Sequence, residues 1–99
     1  MVYHLHGLGG SQGGPQNTTV AASFEAAQTL NLIGPVIVVF PNGYTDAWWA
    51  DSFSGNKPAE TDVLRLIEHV DSTFRTIATR GARVVEGFSM GGFGATKFY

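Results

Sequence analysis

Val36-Ile37-Val38-Val39-Phe40 is an unbroken apolar, mostly β-branched run closed on both sides by proline, Pro35 and Pro41. A strand with one wet face alternates polar and apolar residues. One with no polar position is expected to be buried on both faces, the usual condition inside a parallel sheet. Parallel strands need long crossovers, normally helices. The flanking sequence supplies them. Val2-Tyr3-His4-Leu5-His6 reads as a strand, and residues 7–15, with five glycines, as a loop. Val20, Phe24, Ala27 and Leu30 recur at helical spacing, predicting a helix over about 18–32 that stops at Gly34-Pro35. After an irregular stretch over 44–57, Val63, Ile67, Val70, Phe74 and Ile77 form the stripe of a second helix over about 60–77, with Asp71 and Arg75 one turn apart. Gly81 stops it, residues 83–87 read as a third strand, and a third helix begins over 92–99. Strand and helix alternate three times. That order predicts an α/β fold, a three-stranded parallel sheet with flanking helices joined by right-handed crossovers.

Ninety-nine residues allow one domain, 1–99, and 43% hydrophobic against 14% charged residues is a globular balance rather than a disordered one. The net charge of −2 argues against a nucleic-acid partner, which calls for clustered Lys and Arg. With no cysteine, disulfides, thiolate zinc sites and a Cys nucleophile all fall away. No apolar run approaches the roughly 18 residues of a membrane span, so no membrane partner is expected. A basic stretch followed by an apolar one, the mark of a secretory leader, is not visible at the N-terminus. No cofactor is expected, and composition leaves the compartment open.

Gly87-Phe88-Ser89-Met90-Gly91 matches G-x-S-x-G, directly after a predicted strand and before a predicted helix. That is the context of a nucleophile elbow, a turn so tight that a Cβ on either glycine would clash. The turn would lift the Ser89 hydroxyl off the sheet, while the amides of the new helix face developing negative charge. The competing reading is a glycine-rich turn with an idle serine. His6-Gly7-Leu8-Gly9-Gly10 follows the first strand, and such a loop supplies backbone N–H groups for an oxyanion. The candidate donors are Leu8 and Met90, with Gly9 the substitute for Leu8. A phosphate loop is excluded, because Pro15 follows Gly9–Gly14 where a Lys is required.

His4 and His6 alternate on a strand and raise the question of a metal-dependent hydrolase, but no cluster of His and carboxylates completes a ligand set. His6 is expected to brace the loop by hydrogen bonding, His4 to pack in the sheet, and His69 to lie on a solvated helix face. Trp48-Trp49-Ala50-Asp51 falls in the loop after the second strand, which rims the carboxyl ends of a parallel sheet where ligands bind. The two tryptophans either wall a pocket or cap the core.

Together these segments resemble the esterase family of α/β-hydrolases that includes feruloyl and tributyrin-type esterases. The resemblance rests on His-Gly-Leu-Gly-Gly-Ser at 6–11, Trp-Trp-Ala-Asp-Ser at 48–52, Asp-Ser-Thr-Phe-Arg-Thr at 71–76 and Gly-Phe-Ser-Met-Gly-Gly-Phe-Gly at 87–94. It implies a partial α/β-hydrolase fold with the first strand in the middle, and a small-molecule ester as substrate. It also implies Ser89 as nucleophile, Met90 and Leu8 as oxyanion donors, and Gly9 and Trp49 near the substrate. Members carry the triad acid and base downstream of the serine. Here all three histidines precede Ser89. The resemblance therefore implies a middle segment of a hydrolase, whose third strand leaves an open apolar edge suited to self-association.

Overall fold

The computed structural model describes residues 1–98. Its elements are β1 (Val2–Leu5), α1 (Pro15–Thr29), β2 (Val38–Val39), α2 (Ala59–Thr73), β3 (Val84–Gly87) and α3 (Met90–Phe98), with a 3-10 turn at Arg80–Ala82 before β3. The strands form one parallel sheet in the order β2-β1-β3. Val2 to Leu5 pair with Val84 to Gly87 in register, while only Val2 and Tyr3 pair with Val38 and Val39. β1 is the central strand, as expected, and all four of its residues are buried. No helix among the described residues is long and apolar enough to cross a membrane.

Three boundaries differ from the sequence reading, each for a physical reason. α1 begins at Pro15, not near residue 18. Proline at a helix start gives up no hydrogen bond and brings φ already set. Asn17, buried on the first turn, donates from Nδ2 to the carbonyls of Ser11 (3.2 Å) and Gln12 (2.6 Å), pinning the glycine-rich loop to the helix. The helix ends at Thr29, and Asn31 turns the chain away with φ 56°.

β2 keeps only two residues of the 36–40 run and is not buried on both faces, since Ile37 is 37% exposed. It forms a sheet edge, paired along one side alone. α2 stops at Thr73; Phe74 is extended (φ −112°, ψ 161°), and Phe74 and Ile77 are exposed rather than part of a buried stripe. The cause is Asp71. Its carboxylate pairs with the Arg83 guanidinium instead of Arg75 and accepts the Thr76 hydroxyl at 2.7 Å, which draws the chain out of the helix. Arg83 and Thr76 together hold the Asp71 carboxyl below the usual carboxylate range.

The core sits on one face of β1. Leu5, Trp49, Val63 of α2 and Met90 of α3 are fully buried together, with Ile67, Val85 and Phe98 packed against them. On the opposite side of the pleat His4 faces Glu86, its register partner on β3. The chain thus leaves β1 and β3 side by side, and both enter loops at the same end of the sheet.

Candidate active site

β3 ends at Gly87 and α3 starts at Met90, leaving Phe88 and Ser89 to reverse the chain. Ser89 takes φ 54°, a left-handed conformation that costs a non-glycine residue about 1–3 kcal/mol and persists only where its surroundings impose it. They do so through the two motif glycines. A Cβ on Gly91 would lie 1.9 Å from the Leu5 carbonyl oxygen, and one on Gly87 would lie 2.5 Å from the Gly91 carbonyl carbon and 2.7 Å from that same Leu5 oxygen. Strand end, helix start and central strand therefore meet at van der Waals contact of their backbones. The Gly91 amide donates to Phe88 O at 2.8 Å and closes the turn. Ser89 stays exposed at its tip.

The first loop packs against this turn. A Cβ on Gly7 would lie 3.5 Å from Ser89 Cβ and 3.3 Å from Phe88 O. Gly10 donates to Gly7 O at 3.0 Å, so residues 7–10 make a tight turn, and the φ of 77° at Gly9 is what a type II turn demands at that place. The amide of Gly9 donates to Thr45 O at 2.8 Å. It is occupied, whereas among the described residues no carbonyl accepts from the amides of Leu8 or Met90. Met90 is fully buried. Beside the loop lies an open cleft of about 370 Å³ between Leu8 and Gln16, which does not reach Ser89.

His6 braces the loop, as expected. Its Nδ1–H donates to Gly7 O at 2.9 Å and its Nε2 accepts from the Gly43 amide at 3.0 Å, which fixes the tautomer from the partners. The ring lies 4.9 Å from that of Trp49. Trp49 is fully buried, its indole N–H donating to His6 O at 3.2 Å and its ring held between Gly43 and Gly94, where added Cβ atoms would lie 2.5 and 2.6 Å away. It is placed beneath the loop rather than on its surface. Its neighbour Trp48 is the one that faces outward, 48% exposed, and the two residues have consecutive left-handed φ values of 53° and 57°. This strained pair costs roughly 1–2 kcal/mol per residue. Nothing in the sequence tells which of two adjacent tryptophans turns in. Asp51 of the same segment accepts the amide (2.9 Å) and hydroxyl (2.6 Å) of Thr61 in the first turn of α2, which holds its carboxyl below the usual range.

His4 does more than pack: its Nδ1 lies 2.6 Å from Glu86 Oε1, and its ring meets Phe40 edge-on at 5.7 Å. The sequence carried a signal for this pair only once the β1–β3 register was known. His69 is exposed on α2, as expected. No two of the three histidines share a partner, and none bonds to Ser89. Both ring nitrogens of His6 are taken, so His4 and His6 do not make a ligand pair. Among the described residues no three His or carboxylate groups gather as a metal cluster.

Two comparisons bear on this geometry. Esterase MT1326 of Mycobacterium tuberculosis strain CDC 1551 / Oshkosh is 34% identical over 102 residues, covering 99% of this chain. Esterase Rv1288 of M. tuberculosis strain ATCC 25618 / H37Rv matches to the same extent. The chain spans about a fifth of the length of these curated relatives (21%). Residues 1–98 also match the sequence pattern of the family described as "Putative esterase". Shared sequence of this extent, across the elbow and the loop that faces it, places the chain in the Putative esterase family.

Proposed function

We propose that this chain carries the acylating part of a serine carboxylic-ester hydrolase, with feruloyl or short-acyl esters as its substrate class. Ser89 Oγ attacks the ester carbonyl carbon, and the carbonyl oxygen gathers negative charge toward the amides of Leu8 and Met90. The C–O bond then breaks, the alcohol leaves with the proton taken from Ser89, and water hydrolyses the acyl-enzyme to return the serine. The observation that carries this reading is the left-handed Ser89, exposed on a turn enforced by Gly87 and Gly91. The packing of Gly7 against Ser89 supports a site in which amides of the first loop and of the helix start serve one oxygen.

Both ring nitrogens of His6 are engaged, His4 is held through Nδ1 by Glu86, and none of the three histidines bonds to Ser89. This favours a second reading for the 99-residue chain by itself, a fold without turnover. In triad enzymes the oxyanion hole and binding alone leave only about 10³–10⁴ over water. A fluorophosphonate probe on the full-length protein tests the nucleophile. The label should be found on the Ser89 peptide by mass spectrometry and vanish in Ser89→Ala; a label on another residue would remove the assignment. On the 99-residue chain, p-nitrophenyl acetate hydrolysis should not exceed that of Ser89→Ala, and turnover above it would mean that one of the three histidines reaches the serine.

A further inference from the structure

We infer that the His4–Glu86 hydrogen bond sets the alignment of the two strands that carry the site, which makes both side chains positioning residues; the inference rests on Ser89 as the nucleophile and adds what holds it opposite the first loop. β1 runs into the loop of Leu8, and β3 runs into the turn of Ser89. The placement of the nucleophile against the loop amides is therefore the placement of these two strand ends. At the level of His4, β1 has no ladder partner on its other side, because β2 pairs only with Val2 and Tyr3. The β1–β3 ladder also weakens there: the Phe88 amide reaches Leu5 O at 3.4 Å, longer than the usual value of about 2.9–3.0 Å. Among the described residues one side-chain hydrogen bond joins β1 to β3, and it is that of His4 with Glu86. A carboxylate only accepts, so His4 Nδ1–H donates, at 2.6 Å. Phe40, which follows β2, meets the buried His4 ring edge-on, so the ring is held from both flanks.

Two features make this pair more than cross-strand filling. A polar pair set into a sheet is a poor source of net stability, since desolvation offsets the attraction, and its best-attested role is to fix registry. Registry here needs fixing. The register of a strand is specified by which of its side chains face the core, yet the apolar side chains of β3 are the adjacent Val84 and Val85, one valine for each face. A slip of one residue exchanges one valine for the other and carries Ser89 about 3.3 Å along β1. Glu86 is the side chain of β3 that tells the two alignments apart, because only in the observed register does it stand opposite His4. Misplacing reacting groups by about 1 Å already lowers turnover on the order of a hundredfold.

The full-length protein is compared with its Glu86→Gln variant, its His4→Val, Glu86→Val double variant and Ser89→Ala. The double variant replaces the polar pair with an apolar cross-strand pair, so thermal stability should hold or rise. Its kcat on p-nitrophenyl acetate should nevertheless fall about tenfold or more, with KM within about twofold of the parent. Fluorophosphonate labelling of Ser89 should slow in proportion, and the amides of residues 84–88 should exchange with deuterium faster than in the parent. Glu86→Gln keeps an acceptor for Nδ1–H and should retain kcat within about threefold. Parental kcat or parental exchange in the double variant, a loss carried by KM, or a loss matched by a falling unfolding midpoint would overturn the inference. So would Glu86→Gln losing as much as the double variant. Ser89→Ala keeps the premise separate: turnover surviving there refutes the nucleophile, while deuterium exchange at 84–88 still judges the alignment by itself.

Discussion

Gly91 and Gly92 are neighbours in the first turn of α3, yet alanine should act on them in opposite directions. A methyl on Gly91 would arrive 1.9 Å from Leu5 O and 3.0 Å from His6 O, both main-chain atoms of the central strand. Reaching even a tight 3.4 Å contact requires α3 and β1 to part by about 1.5 Å at the point where Met90 and Leu5 pack, against a close-packed interior. Overpacking of a core typically costs ~1–3 kcal/mol, and an unyielding backbone puts Gly91→Ala at the upper end. The helix-propensity gain of up to ~1 kcal/mol offsets part of that, leaving a net loss of about 2 kcal/mol. At Gly92 the nearest atom to an added Cβ is Gly87 O at 3.4 Å, so the propensity term stands nearly alone and Gly92→Ala should stabilise by up to ~1 kcal/mol. Urea unfolding followed by far-UV circular dichroism, with a common m-value, reads both differences. Gly91→Ala unfolding within about 0.5 kcal/mol of the parent, or both variants shifting the same way, would refute the claim that backbone contact with Leu5 dictates the motif glycine.

Replacing His6 with alanine leaves the buried Gly43 amide without a partner, at ~1–3 kcal/mol, while Gly7 O keeps the Gly10 amide, so thermal unfolding should fall by several degrees; an unchanged midpoint would mean water replaces the lost bond. Asp71 is held below its ordinary value of 3.8 by Arg83 and then Thr76. Its contribution is therefore fully present above that value and is lost as pH falls through the lower folded-state value, so Asp71→Asn should flatten the acid limb of a stability–pH curve and leave its neutral part merely lowered. β3 offers an unpaired outer edge with Val84 exposed, and the 99-residue chain should self-associate on size-exclusion chromatography, a single monomer peak at all concentrations being the contrary result.

What could be read from the sequence was what local spacing encodes. Ser89 was legible because an elbow is written within five consecutive residues, and the strand order followed from alternation and the family resemblance. Helix ends were not, where their cause lies elsewhere in the chain. No breaker separates Thr73 from Phe74; the helix ends because Asp71 finds Thr76 and Arg83. The 36–40 run reads as a fully buried strand, yet burial depends on neighbours that an edge strand lacks. The engagement of the Gly9 amide depends on Thr45, a carbonyl contributed from a distant loop. Which tryptophan turned inward was settled by Gly43, in the loop after β2, and Gly94, on α3.

The pairing of β1 with β3 also sets when the site can come into being. The Met1 amino group donates to Ala82 O, 81 residues along the chain, and His4 reaches Glu86 across 82. Closing a loop of that length costs about 4 kcal/mol beyond its constant term, before any contact compensates it. On a ribosome, β1 can pair early with β2, but its other edge stays bare until residues 84–87 have emerged. Ser89, at the far end of that loop, acquires its left-handed turn only when Leu5 O is in place behind Gly91. Reactivity at the serine would then report on long-range order, rising in step with the slowest, least local event of folding rather than with the formation of any single helix.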